Sequence, residues 1–129
     1  FFGLKALPKY GQESAGVKPM DTKGLLSAFF EAENKRDWVT YRKFLSRDVV
    51  WELHSQQVKT IRGIDDYLAA IREAYGACGD TFVCEALYRS GDGTRIAAIL
   101  KNSLGDRSCD IFEFSDGRIT KEYEFILNG

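Results

Sequence analysis

The chain has 129 residues, 44% of them hydrophobic and 29% charged, with a formal net charge of -1. That is enough for one domain with a real core and too short for two. The balanced charge leaves no basic surplus to grip a phosphate backbone, which argues against nucleic acid as a partner. No apolar run approaches the roughly 18 residues of a membrane span, which argues against a membrane protein.

Cys78, Cys84 and Cys109 form an odd set with no CxxC spacing, and His54 is the single histidine. No metal site and no cofactor are expected from them, and free thiols suit a reducing, cytoplasmic compartment. Residues 1–20 hold both prolines and the single methionine without sustained periodicity. They read as a leader or appended extension ahead of a domain spanning 21–129.

Asp21 is placed to cap a first helix whose Leu25, Leu26, Phe29 and Phe30 share a face, ending near Asn34. Asp37 caps a shorter helix through Leu45, with Trp38, Tyr41, Phe44 and Leu45 inward. Asp48 to Leu53, rich in branched and aromatic residues, reads as a strand. Gln56 to Arg62 is polar and reads as a loop or an edge strand. Gly63 opens a third helix, IDDYLAAIREAYG, whose Ile64, Tyr67, Leu68, Ile71 and Tyr75 recur at helical spacing.

From Thr81 the pattern changes to period two. Residues 81–89, 94–103, 107–114 and 118–127 read as four strands joined by short turns, hence an antiparallel meander. Helices segregated from such a sheet define an α+β domain. In the third of these strands Asp110, Phe112 and Phe114 share one face. A carboxylate beside two phenylalanines is costly to bury unless it is protonated, paired or solvated by a pocket.

The element order, with AFFEAENKRDWVTYRKFLSRDVVWEL, IRGIDDYLAAIREAYGA and CDIFEFSDGRITKEYEF, resembles the nuclear transport factor 2-like superfamily. It looks closest to the SnoaL-like and ketosteroid-isomerase-related members, over Asp21 to Asn128. The resemblance implies a cystatin-like roll, a cone-shaped curved antiparallel sheet wrapped around helices. It also matches Asp110 to the family's protonated aspartic acid. The oxyanion-hole tyrosine of the isomerases falls at Phe29, and their general base falls at about Leu53. Steroid isomerisation itself is therefore not expected.

His54, next to that base position, is the candidate catalytic partner of Asp110, with Glu52 as its substitute. Regular alternation sets His54 with Glu52 on the face opposite Trp51 and Leu53, so an inward His54 requires a bulge. Trp38, Tyr41 and Trp51 are expected to contact a ligand at the pocket mouth, with Phe29, Leu53, Tyr88 and Phe112 as further lining. Arg95, Lys101, Lys121, Glu122 and Glu124 read as cross-strand ion pairs on the outer sheet face. The resemblance implies that this face pairs with a second copy.

Three readings follow: a pocket for a small apolar organic ligand centred on Asp110, an acid–base enzyme of isomerase, cyclase or lyase type, and a non-catalytic dimerisation module.

Overall fold

Asp21 and Asp37 do cap helices. In the computed structural model, which describes residues 21–127, the Asp21 carboxylate accepts from the Gly24 amide at 3.2 Å, and that of Asp37 from the Thr40 amide at 3.2 Å. Each bond satisfies a first-turn N–H that has no partner inside its own helix. The helices they open are α1 (Thr22–Asn34) and α2 (Trp38–Lys43). The expected leader lies outside the described residues.

The chain then runs through β1 (Leu45–His54), β2 (Val58–Arg62), α3 (Ile64–Tyr75), β3 (Phe82–Arg89), β4 (Arg95–Asn102), β5 (Arg107–Ser115) and β6 (Arg118–Leu127). The second helix stops at Lys43 rather than Leu45, and the first strand begins at Leu45 rather than Asp48. The reason is tertiary. The Ile119 amide donates to the Phe44 carbonyl at 2.7 Å, which draws the chain into the sheet early. The polar stretch after His54 forms β2, an exposed edge strand paired antiparallel to β1.

The strands form one curved, unclosed sheet in the order β2-β1-β6-β5-β4-β3. Every neighbouring pair is antiparallel except β1 and β6, which run parallel. Helices α1, α2 and α3 pack on its concave face, where Leu26, Phe29, Phe30, Tyr41, Tyr67 and Ile71 meet Val49, Trp51, Ile96, Phe112 and Ile119. The result is the cone-shaped α+β roll. Among the described residues no helix is long and apolar enough to cross a membrane.

Gly63 sets the entry to α3. Its φ of 89° is a value that a side chain disfavours, and it lets the Gly63 amide bond the Val49 carbonyl at 2.8 Å. The helix is thereby tied to β1 at its first turn.

The β5–β6 hairpin carries the feature that shapes the site. Ser115 pairs with Arg118, so Asp116 and Gly117 alone make the turn, with φ of 52° and 76°. Positive φ at both central residues is the turn that matches strand twist. A regular ladder from there would set Phe112 opposite Lys121. Instead the register slips between Phe114–Ile119 and Glu113–Lys121, which leaves Thr120 as an extra residue. The bulge reverses the parity of β6 beyond it, because side chains alternate with period two. Ile119 faces the core before the bulge, and Glu122 and Glu124 face the interior after it.

Candidate functional site

Beyond the bulge, two rows of side chains cross the concave face. One row runs Trp51, Glu122, Phe112, Ile96, and the next runs Leu53, Glu124, Asp110, Ala98. Three acidic side chains thus stand among apolar neighbours on a surface that the helices cover. Between sheet and helices lies a cavity of about 490 Å³. Asp110, Glu122, Glu124 and the α1 residue Glu33 all line it, beside Trp51, Phe112 and Tyr67. Exposed Asp106 and Leu127 belong to its rim.

The carboxyl oxygens of Asp110, Glu122 and Glu124 lie within 4.8 Å of one another. Asp110 is 3% exposed and Glu122 is 5% exposed. Each of the three has one oxygen tied down by a donor from the protein. The Ser108 hydroxyl donates to Asp110 at 2.6 Å, the Trp51 indole N–H donates to Glu124 at 3.1 Å, and the Tyr67 hydroxyl donates to Glu122. The Tyr41 hydroxyl stands 3.3 Å behind that of Tyr67, and Tyr75 donates to Glu33.

Burial drives the electrostatics. Removing a carboxylate from water penalises its charged form. That loss of solvent lifts Glu33 to about 7 and Glu124 to about 8. It also raises Asp110, and raises Glu122 well above the usual carboxylate range, with the charge of Asp110 adding to the effect on Glu122. The Asp110 and Glu122 carboxyls lie within 4.8 Å of each other, so these two titrate as a pair rather than singly. Burial also holds the Tyr41, Tyr67 and Tyr75 hydroxyls protonated, so that they can donate hydrogen bonds but do not serve as bases.

Of the residues expected at the site, Asp110, Tyr41, Trp51, Leu53 and Phe112 line the cavity. His54 does not. Regular alternation carries it to the outer face, where its Nε2 lies 2.6 Å from Glu52 Oε1 and its ring stacks on Phe125 at 4.6 Å. Without a bulge in β1 near its end, neither His54 nor Glu52 reaches Asp110. Tyr88 lies on the edge strand β3, is 68% exposed and points away from the cavity wall. Trp38 sits one layer back, edge-on to Tyr41 at 5.2 Å. Phe29, where the isomerase tyrosine falls, is sealed in the core and stacks on Tyr41 at 4.2 Å.

Glu122 and Glu124 correct the outer-face reading, since the bulge at Thr120 turns both inward. Arg95 and Lys121 do keep outer-face partners, Glu113 at 3.4 Å and Glu52 at 3.9 Å. Glu33, which the sequence reading did not single out, follows Phe29 and Phe30 by four and three residues and so lies on the apolar face of α1. That helical spacing was the signal in the sequence for Glu33, while the Glu-x-Glu spacing of Glu122 and Glu124 sets both on one face, inward only because of the bulge. Asp110, Glu122 and Glu124 are the set among the described residues whose oxygens lie close enough to hold a metal ion.

A curved α+β roll with helices over its concave face is a cystatin-like fold. The model of the SnoaL-like domain matches residues 26–122, and the chain belongs to that family. No curated protein matches the sequence. Among solved structures, a candidate ketosteroid isomerase from Kribbella flavida DSM 17836 is 26% identical with a TM-score of 0.71, covering 84% of this chain and 78% of that one. An LEH-like epoxide hydrolase of Mycobacterium tuberculosis is 21% identical with a TM-score of 0.67, covering 80% of each chain. RV0760c from Mycobacterium tuberculosis, in complex with estradiol-17beta-hemisuccinate, is 20% identical with a TM-score of 0.66, covering 78% of this chain and 88% of that one. At those identities the last two speak to the fold alone.

Proposed function

We propose that the protein is an acid–base enzyme acting on a small, largely apolar organic molecule held in this cavity, with Asp110 and Glu122 as its working pair. The observation that carries the proposal is the clustering of Asp110, Glu122 and Glu124 within 4.8 Å on an otherwise apolar wall. Carboxyls this close and this dry cannot all ionise, so protons are retained near neutral pH. A protonated carboxyl can donate to a developing oxyanion or a leaving oxygen, while an ionised neighbour takes a proton from carbon. Isomerisation and elimination both need that combination. A pocket that only bound its ligand would have no use for it.

Two further points support the reading. The cavity volume of about 490 Å³ lies in the range of small-molecule pockets and is too large for a core filled by its own side chains. Relatives in fold include a candidate isomerase and an epoxide hydrolase, and one neighbour was captured with a steroid ester. The outer face, where Ala97, Ile111 and Tyr123 align across β4, β5 and β6, is the surface proposed to meet a second copy.

The test is a panel of cyclic enones, β-hydroxy ketones and epoxides incubated in deuterated water, with products and deuterium uptake followed by mass spectrometry. Asp110→Asn and Glu122→Gln should each lower turnover by roughly 100-fold or more while keeping a folded near-ultraviolet spectrum. Unchanged turnover in Asp110→Asn would remove that residue from the mechanism. Ring compounds that bind without any conversion would leave the protein a binder only.

A further inference from the structure

The carboxyls of buried Asp110 and Glu122 and half-buried Glu124 have six oxygens between them, and among the described residues only three receive a hydrogen bond from an N–H or O–H of the protein. The remaining oxygens belong to groups that line the cavity. Glu33 faces the same space and interacts electrostatically with Asp110 and Glu124. Among the described residues no lysine or arginine makes an ion pair with Asp110, Glu122 or Glu124. Arg36 spends its guanidinium on the carbonyls of Glu33, Asn34, Cys78 and Asp80, and lies 3.7 Å over the Tyr75 ring. Arg107, at the rim, is held by Glu85 at 2.7 and 3.3 Å. Trp51 and Tyr67, with ring centroids 5.0 Å apart, line the cavity beside the carboxyls.

An excess of acceptors beside aromatic rings, with no cation paired to them among the described residues, is complementary to one ligand chemistry. We infer that the cavity takes a ring-bearing organic ammonium, its cationic nitrogen against the oxygens of Asp110, Glu122 and Glu124 and its apolar body among Trp51, Leu53 and Phe112. A cation supplies the donors that the carboxyls lack and favours their ionised forms. The aromatic neighbours add attraction for the same charge. A bare divalent ion would satisfy the carboxyls but leave the aromatic and aliphatic walls and most of the volume without a role. This inference rests on the reading of the cavity as a small-molecule pocket and names the class of molecule for it.

The test compares tryptamine with indole-3-ethanol, which has the same ring and a neutral hydroxyl in place of the ammonium, by titration calorimetry at pH 7. Tryptamine should bind at least tenfold more tightly than the alcohol. It should also release protons to the buffer, seen as a binding enthalpy that depends on the buffer's ionisation heat, whereas the alcohol should release none. Glu124→Gln, checked for an unchanged far-ultraviolet spectrum, should narrow the difference between the two ligands. Equal affinity for both, or tighter binding of the alcohol, overturns the ammonium assignment and leaves the small-molecule pocket standing. Binding of neither ligand overturns both readings. Calcium, magnesium and zinc chlorides form a third arm, and metal binding without tryptamine binding overturns the assignment in favour of an inorganic cation.

Discussion

Glu124→Gln should stabilise the protein, and by an amount that grows with pH. In the unfolded chain this carboxyl loses its proton near its ordinary value of 4.5, whereas in the folded protein it holds the proton to about 8. Between those values the folded state binds more protons than the unfolded state. Stability is therefore fully present below about pH 4.5 and is lost as pH rises towards 8. At pH 7.5 a shift from 4.5 to 8 corresponds to a ceiling of about 4 kcal/mol, at about 1.4 kcal/mol per pH unit. Asp110, Glu122 and Glu33 respond to the same proton, so about 2 kcal/mol is the expected gain. Glutamine has nothing to ionise in either state, and its side-chain oxygen can still accept from Trp51. Urea unfolding of both proteins at pH 4.5, 6 and 7.5 measures the difference. The variant should match the parent at pH 4.5 and exceed it by roughly 2 kcal/mol at pH 7.5. A difference that does not change with pH, or a variant less stable at pH 7.5, refutes the argument.

Other substitutions test separate parts of the structure. Tyr67→Phe removes the hydroxyl that donates to buried Glu122. It should cost about 1–3 kcal/mol in chemical unfolding and raise the Glu122 carboxyl further, which carbon-13 titration of the side-chain carboxyls would detect. Gly63→Ala forces a side chain onto a φ of 89°. With nothing within 4 Å of the added carbon, the penalty is conformational rather than steric crowding, about 1–3 kcal/mol in urea. His54→Ala should leave ligand affinity and turnover as they are, because the ring lies on Phe125 outside the cavity. A large loss of turnover in that variant would place histidine back in the mechanism.

The parts of this protein that depend on short-range rules were legible in its sequence. Capping aspartates at 21 and 37, helical spacing from Ile64 to Tyr75, and period-two strands from Phe82 onward each express an interaction within a few residues of itself. They were enough for the α+β class and for the inward face of Asp110, Phe112 and Phe114, while the roll was implied by the family resemblance. Element ends were less legible where a distant partner decided them, as when the Ile119 amide drew Leu45 into β1.

The partners of Asp110 were a matter for the tertiary structure alone. Glu122 and Glu124 lie on the same strand as Ile119, and simple alternation from that buried isoleucine sends them outward. One unpaired residue, Thr120, reverses their direction and sets Glu122 opposite Phe112 and Glu124 opposite Asp110. A bulge is a property of the pairing between two strands and the twist they must accommodate, so neither strand's sequence announces it. His54 shows the converse, since β1 kept its regular alternation near its end and left the histidine outside. Glu33 and the hydroxyls of Tyr41 and Tyr67 joined the carboxyls only because α1, α2 and α3 close over one concave surface. The sequence alone determined the fold and a single acid within it. The tertiary structure decided that the acid has carboxyl neighbours, because register and curvature bring together residues that are far apart along the chain.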